Sequence, residues 1–172
     1  MISKIIITGF MGSGKSTVGR ALARLLNCTM IDLDETIEHE EGRSVRQIIE
    51  ADGEPRFRDI ENQILAKALA GSIARVVALG GGAWISEKNR QLVGHHGGVS
   101  VWLDAPFDLC WKRIAVSGDG RPLARSEADA GILFAERRSS YELADVHIQI
   151  TEHESADEIA AGIIQALPHR ED

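Results

Sequence analysis

Residues 9–16 bring together the residue types that hold phosphate groups. They read GFMGSGKS and fit the pattern G-x-x-x-x-G-K-[ST] in full. The glycines let the backbone curl so that successive N–H groups point inward, while the lysine supplies a cation and the serine a hydroxyl. A β-branched apolar run precedes the loop and an amphipathic run follows it, as this motif requires. The pattern predicts a P-loop that binds a nucleoside triphosphate, with Lys15 on the β- and γ-phosphates and Ser16 on Mg²⁺.

Two carboxylates follow in the segment MIDLD, which is predicted to be the second strand. Asp32 and Asp34 are two residues apart, so in a strand their side chains share one face. One carboxylate can then hold Mg²⁺ through water, while the other accepts a proton from a substrate hydroxyl. An alternative stays open from the spacing alone, in which the pair caps the N-terminus of a following helix.

Arginines that could bind a second anion lie further along the chain. Glu61 follows Arg58 by three residues, a helical spacing at which the carboxylate can brace the guanidinium for a bidentate grip on a carboxylate or phosphate. A solvated surface pair is the alternative. Arg137 and Arg138 lie on a later predicted helix and are candidates for a second clamp.

A glycine triplet and a loop arginine complete the candidate residues. Gly80, Gly81 and Gly82 follow a predicted buried strand, where they could offer backbone N–H groups to a ligand or form a plain turn. Arg121 lies in the segment VSGDGRPLARSEA, whose composition is typical of a mobile loop. It is a candidate lid residue that neutralises charge on the phosphoryl group in transit.

The class of P-loop protein can be narrowed from what the sequence contains. A guanine-specific switch usually carries N-K-x-D and D-x-x-G elements, and neither is present. Motor ATPases are usually larger and have an acidic residue at the end of the third strand, which here ends in LGGG. A small-metabolite kinase is therefore favoured.

The elements that must position these residues alternate along the chain. Five predicted strands, beginning with IIIT and ending with DVHIQI, alternate with helical patterns, which follow every strand except the third. This alternation predicts one α/β domain over residues 1–172, with a parallel sheet flanked by helices and ligands beyond the carboxyl ends of the strands.

Composition limits the partners. The 172 residues carry a net charge of −7, which argues against a nucleic-acid-binding protein. The N-terminal apolar run is too short for a signal sequence, and no stretch approaches the length of a membrane helix. We expect a cytoplasmic protein that binds neither membrane nor nucleic acid.

Taken together, these segments resemble the shikimate kinase family. The segments that carry the resemblance are GFMGSGKSTVGRALA, DLDETIE, GRSVRQI, DGEPRFRDIE, LGGGA, GRPL and FAERRSSYELAD. The resemblance implies a P-loop kinase fold with strand order 2-3-1-4-5, a substrate-binding segment at about 34–61 and a lid at about 114–127. It also implies a monomer that transfers the γ-phosphoryl group of ATP to the 3-hydroxyl of shikimate, in aromatic amino-acid biosynthesis.

The resemblance implies a role for each candidate residue. The nucleotide and its phosphates are assigned to Gly12, Ser13, Gly14, Lys15, Ser16, Thr17, Arg113 and Arg121, and shikimate to Asp34, Arg58, Gly80, Gly81, Gly82 and Arg137. Mg²⁺ is assigned to Ser16 and, through water, to Asp32. Asp34 is the implied general base, and Lys15 and Arg121 act with it on the transferred group.

Two departures from the family pattern bear on these roles. RRSSY replaces the usual R-x-P-L-Y, which makes Arg138 a second candidate for the role of Arg137, and Ile49 replaces an expected aromatic residue.

The alternative functions are a gluconate kinase-like enzyme and a catalytically idle nucleotide-binding module. The idle module would be expected to lack Lys15, Asp34 or Arg58, and all three are present.

Overall fold

The computed structural model describes residues 4–117 and 126–168. The strands are β1 Lys4–Thr8, β2 Thr29–Asp32, β3 Ala74–Ala78, β4 Gly98–Asp104 and β5 Val146–Gln149. The α-helices are α1 Lys15–Leu25, α2 Leu33–Glu41, α3 Val45–Asp52, α4 Glu54–Ala70, α5 Glu87–His95, α6 Phe107–Ser117, α7 Glu127–Tyr141 and α8 Ala156–Ala166, with a short 3-10 helix at Ala83–Ile85.

The five strands form one parallel sheet in the order β2-β3-β1-β4-β5, which confirms the predicted fold. In the central strand, Ile6 pairs with Val77 of β3 and with Ser100 of β4. Every residue of β1 is buried. Because successive side chains point to opposite faces, helices must cover the sheet on both sides.

Local sequence signals explain where the helices begin and end. Ser44 and Gln47 form a capping box at the start of α3. Gly53, with φ of +86°, separates α3 from α4. Helix α5 was not predicted, because Leu92 and Val93 are the only two residues of the large aliphatic types in its nine-residue sequence EKNRQLVGH.

The helices pack on the sheet and on one another and leave the carboxyl edge of the sheet accessible. Helices α1 and α8 pack on each other, and α2, α3 and α4 pack together beyond β2. The P-loop, Asp32, the glycine triplet and Asp104 directly follow or end β1, β2, β3 and β4, so all lie at the carboxyl edge. In the described parts of the chain, no helix is long and apolar enough to cross a membrane.

Candidate active site

A cleft of about 1010 Å³ opens at the carboxyl edge of the sheet. The predicted site residues that line it are Gly12, Gly14, Lys15, Ser16, Thr17, Asp32, Asp34, Arg58, Gly80, Gly81, Gly82, Arg113 and Arg137. Ser13 is buried in the loop between them. Arg121 and most of the predicted lid lie outside the described residues.

The P-loop has the backbone geometry that its glycines allow. Gly12 and Gly14 have φ of +78° and +97°, a conformation that other residues rarely adopt. Gly14 is the N-cap of α1, so the positive end of that helix faces the cleft. Lys15 Nζ donates hydrogen bonds of 2.9 Å to the carbonyl oxygens of Gly9 and Phe10, which hold the ammonium group against the loop.

Helix α6 supports the loop and adds a second cation. Arg113 Nη1 donates to the carbonyl oxygen of Gly12 at 3.1 Å. A methyl group at Gly12 would lie 2.6 Å from the carbonyl oxygen of Cys110, so this glycine is required by space as well as by backbone conformation. Arg113 therefore lies beside the phosphate loop, as the resemblance implied for a nucleotide contact.

Asp32 faces the P-loop and also caps a helix. Ser16 Oγ donates to Asp32 Oδ2 at 2.5 Å, and the other carboxylate oxygen accepts from the backbone N–H of Glu35 at 3.3 Å. The prediction that Asp32 and Asp34 share one strand face is wrong. Strand β2 ends at Asp32, because the capping carboxylate starts α2 at Leu33 and turns the chain into the helix.

Asp34 lines the cleft from the first turn of α2. Its carboxylate lies over Gly80, where a methyl group would be 2.5 Å from Asp34 Oδ1. The two aspartates thus face the same cleft from different elements, one from the end of β2 and the other from a helix.

Arg58 is held by carboxylates of its own helix. Its Nη1 lies 3.0 Å from both oxygens of Glu61, and its Nη2 lies 3.0 Å from Glu54 Oε1, so the predicted Arg58–Glu61 brace is confirmed. Glu61 is 1% exposed, whereas Glu54 is largely exposed. Burial raises the pKa of Glu61 to about 7, although the neighbouring guanidinium of Arg58 acts in the opposite direction.

The two neighbouring arginines of α7 lie in different environments, one in the cleft and the other on an ion-pair partner outside it. Arg137 is 8% exposed and lines the cleft. Arg138 makes an ion pair with Asp104 and lies over the ring of Trp102. Between the two candidates for the second clamp, Arg137 is the one that faces the cleft.

Tyr141 and Asp104 support the site and were missed in the sequence. The Tyr141 hydroxyl donates to the carbonyl oxygen of Gly81 at 2.5 Å. Burial raises the pKa of Tyr141 to about 12, with Arg137 acting against this effect, so the hydroxyl keeps its proton. The spacing of four residues between Arg137 and Tyr141 places both on one helix face and could have identified the tyrosine.

The chain was compared with known proteins. A family model described as shikimate kinase matches residues 11–168. The chain belongs to the shikimate kinase family. A shikimate kinase of Cereibacter sphaeroides is 39% identical over 171 residues, which are 98% of this chain and 84% of that protein.

Solved structures agree with this membership. The shikimate kinase of Acinetobacter baumannii, solved in complex with shikimate, is 33% identical with a TM-score of 0.88, covering 96% of this chain and 92% of that one. A gluconokinase of Sinorhizobium meliloti is 20% identical with a TM-score of 0.56, covering 95% and 93% of the two chains. At that identity the likeness to the gluconokinase shows a shared fold alone.

The burial of Glu61 predicts a pH-dependent stability. Between pH 4.5 and about 7 the carboxyl is ionised in the unfolded chain and largely protonated in the folded one. The unfolded state then binds fewer protons, so the free energy of unfolding falls as pH rises through this window. The Glu61→Gln variant loses this contribution. Urea unfolding of both proteins across the window gives their free energies of unfolding. The wild-type value minus the variant value should decrease as pH rises.

The matched control is Glu54→Gln, which removes the exposed partner of the same arginine. That variant should keep the wild-type slope, because it retains the buried Glu61 carboxyl. A wild-type minus Glu61→Gln difference that stays constant with pH would contradict the raised pKa of Glu61.

Proposed function

We propose that this chain transfers the γ-phosphoryl group of ATP to the 3-hydroxyl of shikimate, giving 3-phosphoshikimate and ADP for aromatic amino-acid biosynthesis. One observation carries the proposal: a single cleft is lined by the P-loop, by the carboxylate of Asp34 and by two arginines, Arg58 and Arg137. An acceptor with one carboxylate and several hydroxyls needs cations at one end and hydrogen-bond partners at the other. The cleft offers both, next to a site for a triphosphate.

The P-loop wall binds the nucleotide. The backbone N–H groups of residues 12–17 and the N-terminus of α1 provide the phosphate cradle. Lys15 and Arg113 lie against the loop and add positive charge where the β- and γ-phosphates would bind. Arg121 is assigned to the same phosphates from the segment outside the described residues.

The Ser16–Asp32 pair fits a magnesium site. A hydroxyl and a carboxylate 2.5 Å apart at the end of β2 are hard oxygen ligands of the kind that Mg²⁺ takes together with waters and substrate phosphates. Ser16 would bind the ion directly and Asp32 through water. When bound, the ion neutralises charge on the phosphates and helps to align them.

Asp34 acts as the general base. It accepts the proton of the 3-hydroxyl as that oxygen bonds to the γ-phosphorus and the bond to the β,γ-bridging oxygen breaks, which releases ADP. Arg58 and Arg137 grip the shikimate carboxylate, and N–H groups of the triplet Gly80, Gly81 and Gly82 bind ring hydroxyls. Positioning and charge stabilisation are the main requirements of this reaction, and these groups supply both.

The proposal includes a cytoplasmic enzyme that works as a monomer. The two alternatives are separated by different observations. Gluconate also carries one carboxylate and several hydroxyls, so a gluconate kinase-like enzyme is distinguished by the choice of acceptor, whereas an idle module would not need the base.

ADP release from Mg-ATP tests the proposed substrate, with shikimate as acceptor and gluconate as the control. Release that depends on shikimate is expected. ADP release with gluconate alone would mean that the protein is a kinase whose acceptor is gluconate and not shikimate. ATP binding without release in either case would favour the idle module.

Loss of the base should abolish turnover without affecting the nucleotide. In Asp34→Asn the side chain keeps its size but no longer accepts the proton, so kcat should fall by about 10²- to 10⁴-fold. ATP affinity, measured by calorimetry, should stay near the wild-type value. Asp59→Asn, an exposed aspartate of α4, is the control and should turn over normally. Wild-type kcat in Asp34→Asn would exclude the base assignment.

Loss of a clamp should weaken shikimate binding selectively. Arg58→Ala removes one charged partner of the carboxylate and should cost about 2–5 kcal/mol of shikimate affinity. The buried Glu61 it leaves behind avoids an unpaired charge by staying protonated, so the variant can fold. Arg56→Ala removes an exposed arginine outside the cleft and serves as the matched control. An unchanged KM for shikimate in Arg58→Ala would refute the clamp.

A further inference from the structure

Arg138 connects α7 to the sheet through a carboxylate at the end of β4. Its Nη1 lies 3.0 Å from Asp104 Oδ1 and its Nη2 lies 3.3 Å from Asp104 Oδ2, a two-point contact that fixes the plane of the guanidinium. The Asp104 side chain is 8% exposed, and that of Arg138 is 44% exposed. The pair therefore joins a buried carboxylate of the sheet to a helix at the surface.

Further contacts hold both partners of this pair in place. Gln149 Nε2 of the neighbouring strand donates to Asp104 Oδ2 at 2.6 Å, and the two residues are register partners in the sheet. The Arg138 guanidinium lies 5.0 Å above the ring of Trp102, and its Nε is 3.3 Å from the exposed Glu142. Asp104 is thus held by the sheet independently of Arg138. Through Arg138, helix α7 is attached to this held carboxylate.

The contact adds a fixed point to α7, whose Phe134 also packs on the rings of Phe10 and Phe107. Consecutive helical residues are about 100° apart around the axis. With Arg138 held on Asp104, the preceding Arg137 is directed into the cleft, where it is 8% exposed. Tyr141, bonded to the carbonyl oxygen of Gly81, supports the same helix near its C-terminal end.

We propose that Asp104 and Arg138 are positioning residues for the acceptor. Their ion pair fixes the rotation of α7 about its axis and its position along that axis, so that Arg137 can contact the substrate carboxylate. This inference rests on the proposed function for the role of Arg137. Neither residue contacts the acceptor. Each acts through Arg137, so their loss affects the carboxylate end of the acceptor and not the nucleotide.

Asp104→Asn tests the pair by removing the charge while keeping the size of the side chain. The KM for shikimate should rise roughly ten- to hundredfold, because a small displacement of a binding group has effects of this size. The KM for ATP should stay within about twofold. Glu142→Gln is the matched control, because it removes the other, exposed carboxylate beside Arg138 and should change neither constant. Equal effects of Asp104→Asn on both substrates would overturn the proposal.

An Arg137→Ala background shows whether the pair acts through Arg137. Shikimate affinity is measured by calorimetry in Arg137→Ala with and without Asp104→Asn. Once Arg137 is absent, the second substitution should change the Kd by no more than about twofold. If Asp104→Asn weakens shikimate binding in this background as much as it does in the wild type, Asp104 does not act through Arg137.

Hydrogen–deuterium exchange separates this inference from the proposed function, because it needs no substrate. Asp104→Asn should accelerate amide exchange in α7 and leave α3 and α4 at wild-type rates, while Glu142→Gln should change neither. If Asp104→Asn does not fold, Arg138→Gln breaks the same pair from its exposed side and should have the same effect. Should the wild type fail to phosphorylate shikimate, exchange in α7 still decides the inference, and unchanged exchange would overturn it whatever the substrate.

Discussion

Two of the three glycines after β3 let side chains of other elements approach closely, because those side chains occupy the space that a Cβ would fill. A methyl group at Gly80 would lie 2.5 Å from Asp34 Oδ1, and one at Gly82 would overlap the Arg58 guanidinium. The carbonyl oxygen of Gly81 accepts the hydroxyl of Tyr141. Side chains of three helices, α2, α4 and α7, thus meet the end of one strand.

Charge imposes a second constraint on the same region. A buried cation is costly unless carboxylates satisfy it. Arg58 is therefore held by Glu61 and Glu54 before any ligand binds, so little further ordering is required when an anion arrives. Because burial raises the pKa of Glu61 to about 7, the bracing carboxyl carries only part of a negative charge near neutral pH. Arg58 then keeps positive charge to offer to a ligand.

Local signals made most of this arrangement predictable, and long-range contacts account for the rest. The P-loop is one continuous segment after a buried strand, so its pattern was sufficient. Arg58 and Glu61 are one helical turn apart, and that spacing indicated the brace but left a solvated surface pair open. The strand assigned through Asp34 was wrong, because Asp32 fits a strand end and a helix cap equally well by sequence. The choice between Arg137 and Arg138 depended on Asp104, which is 34 residues away, and the role of Tyr141 depended on Gly81, which is 60 residues away. No local pattern encodes these contacts.

The two walls of the cleft therefore depend on the fold in different ways. The phosphate wall is made of backbone groups from one segment, and its geometry follows wherever that loop joins a strand to a helix. The acceptor wall is assembled from α2, α4, the glycine triplet and α7, whose relative positions depend on tertiary contacts such as Arg138–Asp104. Proteins can share the sheet and the phosphate loop while these elements present other side chains. The phosphate loop thus provides the site for a triphosphate, whereas under the proposed function the supports behind Arg58 and Arg137 are what would select the acceptor.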